Sequence, residues 1–319
     1  MLLNAYYLRH HMYTLVPRHV REDMAWMADL GTDIVSIGIL EQDLFASQYN
    51  LDIICREADR AGLSVHAVPS RWGGVVAGAP KVPSLFTATH PETWIVDADG
   101  RPVYGEVWGP MSSVHHPDTF ALYAESLRQM LTQWPIKGIV WDEVKILDVV
   151  DRSPAARDAL PPGADASAHI DAVADFFDRA GREARKHNPD LLLSMFIYAF
   201  IEGYAVERCA RLAALDYFGC DGKPWRLEDY DRPVKKTLLG MGERFLAEAR
   251  KNGKGGLFLI ENLDMSLKEC EIMDRRLPEV LALRPEQLIY YYYPRNMEDP
   301  DRQMAILAKH LRAAKAGTV

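Results

Sequence analysis

Trp134-Pro-Ile-Lys-Gly-Ile-Val-Trp-Asp-Glu-Val-Lys145 contains an apolar run, Ile136 to Trp141, too short to stand alone as a helix. Pro135 and Gly138 punctuate it and β-branched residues are frequent in it, so it reads as a buried parallel strand. Two adjacent carboxylates, Asp142 and Glu143, end the run, and Lys145 follows. Acids at the C-terminal end of a buried strand stand where α/β folds place their chemistry.

The flanking sequence repeats this pattern. Leu2 to Leu8, Asp33 to Ile39 and Leu63 to Val68 read as three earlier strands. Between them, Val20, Met24, Met27 and Ala28 share one helical face that Gly31 ends, and Leu51, Ile54, Cys55 and Ala58 share another that Gly62 ends. This β-α-β-α-β succession with short turns is the pattern of a parallel sheet with right-handed crossovers. Residues 70–117 then break the rhythm as a long insertion carrying Arg71, Trp72, Trp94 and Trp108. Within it, Ala98-Asp99-Gly100 between two β-prone runs is a hairpin signal. A structured loop of this length in a compact domain is usually functional.

After a helix with Phe120, Ala124, Leu127, Leu131 and Trp134 on one face comes the central stretch as the fourth strand. A polar, Pro-rich loop over 151–165 follows it. Leu191 to Tyr198, Ala214 to Cys220, Gly256 to Ile260 and Gln287 to Tyr293 read as strands five to eight, with helical stretches between them. Ser266-Leu-Lys-Glu269 is a capping box, and Asp299 with Pro300 opens a last helix. Strands and helices in this alternation predict an α/β fold, a (β/α)8 or TIM barrel forming one domain over residues 1–319, with 70–117 laid over its C-terminal face. A doubly wound open sheet fits less well, because no Gly-rich phosphate loop follows the first strand.

Composition narrows the partners. The net charge is −8 over 319 residues, which argues against nucleic acid as the main partner because phosphate binding needs clustered Lys and Arg. No apolar run approaches a membrane span, so no membrane partner is expected. The N-terminal residues lack a basic segment followed by an apolar one, which makes a cytoplasmic location the expectation. The four cysteines (Cys55, Cys209, Cys220 and Cys270) form no C-x-x-C pair and read as reduced and packed. A homo-oligomer is left open, with the long insertion as the place for a contact between copies.

In a barrel the C-terminal strand ends share one mouth. They bring His10, Glu41, Arg71, Trp72, Asp142, Glu143, Lys145, Tyr198, Glu202, Asp221, Trp225, Glu261, Asn262, Tyr293, Arg295 and Asn296 toward it, and Trp108 of the insertion is a further candidate. The set is rich in carboxylates and aromatics and lacks a basic phosphate clamp. Aromatic faces stack on the apolar faces of sugar rings, while carboxylates and Asn bond hydroxyls, so a small carbohydrate is the expected substrate. In the Tyr290 to Tyr293 run only Tyr293 is a site candidate; the rest read as packing. The adjacent histidines His10-His11 and His115-His116 lack metal-ligand spacing, and neither a metal nor a cofactor is expected.

Val140-Trp-Asp-Glu-Val144 resembles the fourth-strand motif of the retaining glycoside hydrolases with a barrel fold, in which an aromatic, Asn and Glu end the strand. Leu259-Ile-Glu-Asn262 stands where those enzymes carry a second catalytic Glu, at the end of strand seven. Asp142 replaces the Asn of that motif and Val144 the common Pro. The resemblance implies a double displacement, with Glu261 as nucleophile and Glu143 as acid and then base. The acid must keep its proton near neutral pH, and Lys145 opposes that if it points inward. Other sugar hydrolases of this fold use an Asp on strand four and an Asp on strand six, which here means Asp142 with Asp221. Strict alternation lets only one of Asp142 and Glu143 face the barrel axis. Two further functions stay open. One is a metal-dependent sugar isomerase, epimerase or lyase recruiting Glu143, Asp221, His66 and Glu261; the other is a catalytically silent sugar-binding barrel.

Overall fold

The structure, a computed structural model, describes residues 1–8, 15–78, 80–105, 109–225 and 238–317. In chain order its strands are β1 (Leu2–Tyr7), β2 (Ile34–Ile39), β3 (Ser64–Pro69), β4 (Tyr104–Gly105), β5 (Gly109–Pro110), β6 (Gly138–Asp142), β7 (Leu192–Tyr198), β8 (Tyr217–Gly222), β9 (Gly255–Ile260) and β10 (Gln287–Tyr291). Its helices are α1 (Pro17–Asp29), α2 (Asp43–Ala46), α3 (Gln48–Arg60), α4 (Leu85–Thr89), α5 (Pro117–Gln133), α6 (Pro154–Ala159), α7 (Ala166–His187), α8 (Tyr204–Ala210), α9 (Leu238–Lys251), α10 (Leu267–Ala282) and α11 (Pro300–Lys315).

Eight of the strands close into one parallel barrel in the order β1-β10-β9-β8-β7-β6-β3-β2, while β4 and β5 form a separate two-stranded ladder. This is the expected (β/α)8 barrel, interrupted between β3 and β6 by the expected insertion. Side chains alternate along each barrel strand. Tyr6, Val68, Val140, Phe196, Leu257, Leu259 and Ile289 pack together around the axis. Their chain neighbours, such as Ala5, Ala67, Ile139, Phe258 and Leu288, join the larger core against the helices. Asn4, Ser36, His66, Ser194 and Gln287 share the inward parity and are buried, so the lower part of the barrel is polar.

Local signals account for the helix starts. Ser266 and Glu269 cap each other at α10, Asp299 accepts from the Arg302 amide at α11, and Pro sits in the first turn of both α5 and α11. The 151–165 loop differs from expectation by containing α6, whose start is a Ser153 cap on the Ala156 amide followed by Pro154. The hairpin signal in the insertion gives a turn, closed by Asp97 N–H on the Arg101 carbonyl at 2.8 Å, and a single bridge, Val96 to Pro102, not a ladder. Among the described residues no helix is long and apolar enough to cross a membrane.

Candidate active site

The end of β6 brings both of its acids to one place. Alternation turns Asp142 toward the axis, where it is 4% exposed. Glu143 would then face the helices, but its φ is +37°, a left-handed turn that swings it back over the mouth. Both line a cavity of about 290 Å³ together with Lys145, Tyr198, Glu261 and Tyr291. The insertion is bonded onto this strand end: Ala77 N–H donates to the Asp142 carbonyl and Lys145 N–H to the Val75 carbonyl, each at 2.8 Å.

Three strand ends bring acids together here, with Glu143 and Glu261 lining the cavity and Asp221 buried against them outside its lining. One carboxylate oxygen from each of Glu143, Asp221 (β8) and Glu261 (after β9) lies within 4.8 Å of the others. So many acids cannot all ionise in a closed space, and the surroundings sort them. Burial raises the Asp221 carboxyl well above the usual carboxylate range, and the Glu143 charge and a hydrogen bond to Glu143 raise it further. Burial pushes Asp142 up to about 7, helped by the charge of Glu143. Glu143 goes the other way. Burial alone would raise it, but the hydrogen bond from Asp221, the Lys145 ammonium and the Tyr198 hydroxyl hold it below its ordinary value. The two carboxyls are thus pushed in opposite directions, Glu143 toward the ionised form and Asp221 toward the protonated one. Lys145 points inward and pairs with Glu143, the orientation in which it opposes a raised Glu143 pKa.

Other sequence candidates sort by position. Arg71, with φ +61°, is buried at the cavity wall and donates through Nε to the Pro80 carbonyl at 3.1 Å. Tyr198 lines the cavity, with its hydroxyl raised by burial and by Glu143. Arg295 reaches the rim, bonded to Asp264, and Tyr293 is 43% exposed beside it. His10 and Trp108 lie outside the described residues.

Four candidates lie in the framework and not in the cavity. Trp72 is fully buried, its indole N–H on the Ile39 carbonyl and its ring edge-on to Tyr123, so it belongs to the core beneath the insertion. Trp225 is also fully buried and donates to the Glu261 carbonyl at 3.1 Å, supporting that residue's backbone from outside the cavity. The Asn262 amide is engaged on both sides by the Tyr291 main chain, at 2.9 and 2.8 Å, and clamps β9 to β10. Glu41, also expected at the mouth, accepts from Gly73 N–H, Ser84 Oγ and Phe86 N–H and anchors the insertion instead.

Sequence reasoning missed Tyr6, Tyr291 and Asp264, which all line the cavity. Alternation from Asn4 predicts Tyr6, and alternation from Gln287 predicts Tyr291, a signal hidden inside a run of four tyrosines. No sequence signal points to Asp264, whose place is set by the loop after β9. The clustered carboxylates are the one grouping among the described residues able to hold a cation. His66, the imidazole a metal reading would recruit, does not line the cavity; its ring lies over Gly138 inside the barrel.

No family model matches the chain, and no curated protein is similar to it in sequence. Solved structures are similar in fold. The β-galactosidase of the Antarctic haloarchaeon Halorubrum lacusprofundi superposes with a TM-score of 0.71 at 13% identity, over 99% of this chain and 58% of that one. The β-galactosidase of the psychrophilic Marinomonas ef1 gives 0.68 at 13% identity, over 100% and 61%. The endo-β-1,4-mannanase of Thermotoga petrophila gives 0.64 at 10% identity, over 100% and 77%. The chain thus spans about three fifths of the β-galactosidases it resembles. What is shared is the barrel fold of glycoside hydrolases.

Proposed function

We propose that this chain is a glycoside hydrolase that cleaves a small carbohydrate with carboxylates at the barrel mouth, with retention of configuration. The approach of Glu143, Asp221 and Glu261 to within 4.8 Å of one another carries the reading. Double displacement needs two carboxyl groups roughly 5–5.5 Å apart, and inversion needs a gap of about 6.5–9.5 Å. Glu261 attacks the anomeric carbon. The Glu143–Asp221 pair, which shares one proton at rest, protonates the leaving oxygen through Glu143 and later takes a proton from water. The fold neighbours, two β-galactosidases and a β-1,4-mannanase, support a β-linked hexose as substrate.

The opposite shifts of the two carboxyls, Glu143 down and Asp221 up, favour a second assignment, with Glu143 as nucleophile and Asp221 as acid. Pairing Asp142 with Asp221 fits less well, because a carboxyl with a pKa of about 7 is half protonated at neutral pH.

The test is hydrolysis of aryl and sugar β-galactosides and β-mannosides by Glu143→Gln, Asp221→Asn and Glu261→Gln. Losing the acid costs about 10²–10⁴-fold on a sugar leaving group and much less on 2,4-dinitrophenolate, which departs unprotonated. Losing the nucleophile costs at least that much on both leaving groups. Whichever of Glu143 and Asp221 shows the leaving-group dependence is the acid. Full turnover in both Glu variants, or activity abolished by a chelator and restored by a divalent cation, overturns the proposal.

A further inference from the structure

Beside the acid-lined cavity lies a larger hollow of about 630 Å³. The two share Leu8, Lys81, Leu263, Asp264, Tyr291 and Arg295 as lining residues, so they adjoin. Small-molecule sites typically measure about 300–1,000 Å³. The inner cavity, at about 290 Å³, is at the lower end of that range, and the outer hollow is twice its size.

The outer hollow has the structure of a binding site. Tyr292 and Tyr293 meet edge to face, with ring centroids 4.9 Å apart, and Tyr293 is 43% exposed. Opposite polarity comes from a fixed cluster. Asp264 accepts from Arg295 through both of its oxygens, at 3.3 and 3.0 Å, and from Asn296 Nδ2 at 2.7 Å. The backbones lock as well, with Asp264 N–H on the Arg295 carbonyl and Lys223 Nζ on the Asp264 carbonyl. Asp264, Tyr293 and Asn296 all have positive φ (+51°, +42° and +53°). Left-handed non-glycine residues cost free energy and gather where a binding surface must hold one shape. Flat aromatic faces next to rigid, planar hydrogen-bonding groups suit a pyranose ring, which has apolar C–H faces and an equatorial belt of hydroxyls. Among the described residues, none of these polar groups belongs to the Glu143, Asp221 and Glu261 cluster.

We infer that this hollow is a second sugar subsite, walled by Tyr293, Arg295 and Asn296, and that the substrate is an oligosaccharide whose further residue lies there while the bond to be cut lies over Glu143 and Glu261. The inference rests on the hydrolase reading for its turnover test, and a binding test separates the two.

The turnover test compares the β-glycosyl fluoride of the accepted sugar, whose leaving group is a single atom, with the β-1,4-linked trisaccharide of the same sugar. In Tyr293→Ala and Asn296→Ala the ratio of kcat/KM on the trisaccharide to that on the fluoride falls at least tenfold. An unchanged ratio in both variants overturns the subsite. The binding test is calorimetry of Glu261→Gln with the monosaccharide and with the trisaccharide. The trisaccharide binds at least tenfold more tightly, and adding Tyr293→Ala removes that preference. Equal affinity for the two sugars, or no binding of either, overturns the subsite. A length preference in binding by a chain that hydrolyses neither sugar supports the subsite and sinks the hydrolase reading alone. Circular dichroism of each variant checks that Asp264 still holds its loop; if Asn296→Ala unfolds, Tyr293→Phe, which keeps the ring and removes the hydroxyl bond to Asp301, keeps the ratio within about twofold of wild type under the stacking account.

Discussion

A single left-handed residue explains how two neighbouring acids reach one cavity. In a regular strand Asp142 and Glu143 would face opposite ways. The φ of +37° at Glu143 ends the alternation and turns its carboxylate inward. Sequence alone leaves a choice between the two acids, because nothing in Trp-Asp-Glu-Val encodes that turn; it is fixed by the insertion pairing with the strand end. The adjacent charges have a thermodynamic consequence. Asp142 titrates near 7 in the folded chain and near 3.9 unfolded, so between those values the folded state binds more protons than the unfolded state. Stability contributed by that proton is present at acidic pH and lost as pH rises through about 7. Asp142→Asn, which keeps the shape and removes the charge, therefore raises Tm over wild type at about pH 8 by at least about 2 °C. Near pH 4 the difference disappears. Thermal melts of the two proteins across that range check this, and a constant gap counts against a raised Asp142.

At the level of elements, most boundaries were readable and the loops were not. Strands announce themselves by short apolar runs between turn residues, and α10 and α11 by their caps, because those signals are local. The end of β6, the clamp of Asn262 on Tyr291 and the burial of Trp72 depend on partners far along the chain. A tryptophan in a glycine-rich loop carries the same letter whether it faces a sugar or a core. The ion cluster joining α1 to α3 is likewise invisible in sequence. Glu57 is buried on α3 and accepts from Arg21 of α1 at 2.9 Å, Arg60 at 2.7 Å and Arg56 at 3.3 Å. The Arg21 bond pulls its carboxyl down to about 2, against the effect of burial. A depressed carboxyl stabilises above its unfolded pKa, about 4.3, and that contribution is lost as pH falls through about 2. The arginines are more than half exposed or close to it, so water screens much of the attraction. Glu57→Gln should lower Tm by about 2 °C at neutral pH, with the gap closing on acidification toward about pH 2. A gap that persists in acid would assign the effect to packing.

For the whole molecule, closure of the cylinder is the requirement that brings distant acids together, and small residues permit it. A Cβ on Gly219 in β8 would stand 1.6 Å from the Leu257 carbonyl oxygen of β9, and one on Gly138 in β6 would strike the His66 ring at 2.4 Å. The first obstacle is backbone, which cannot rotate away. Gly219→Ala should cost at least about 3 kcal/mol in urea denaturation, at the upper end of ordinary overpacking, because it pries apart two neighbouring staves. Stability within about 1 kcal/mol of wild type would mean that β8 and β9 are not held so tightly. The periodicity of eight strands and their helices was legible because it repeats along the chain; the identity of the cargo was not, because it is written in loop conformations that occur once.

The bonds from Val75 and Ala77 to the end of β6 carry a mechanical implication. The segment that covers the mouth and the segment that bears the acids are spliced into one piece, so whatever tugs on the cover also tilts the carboxylates. On the proposed hydrolase reading, entry of a guest and readiness of the chemistry are geared to each other, with no separate messenger between them.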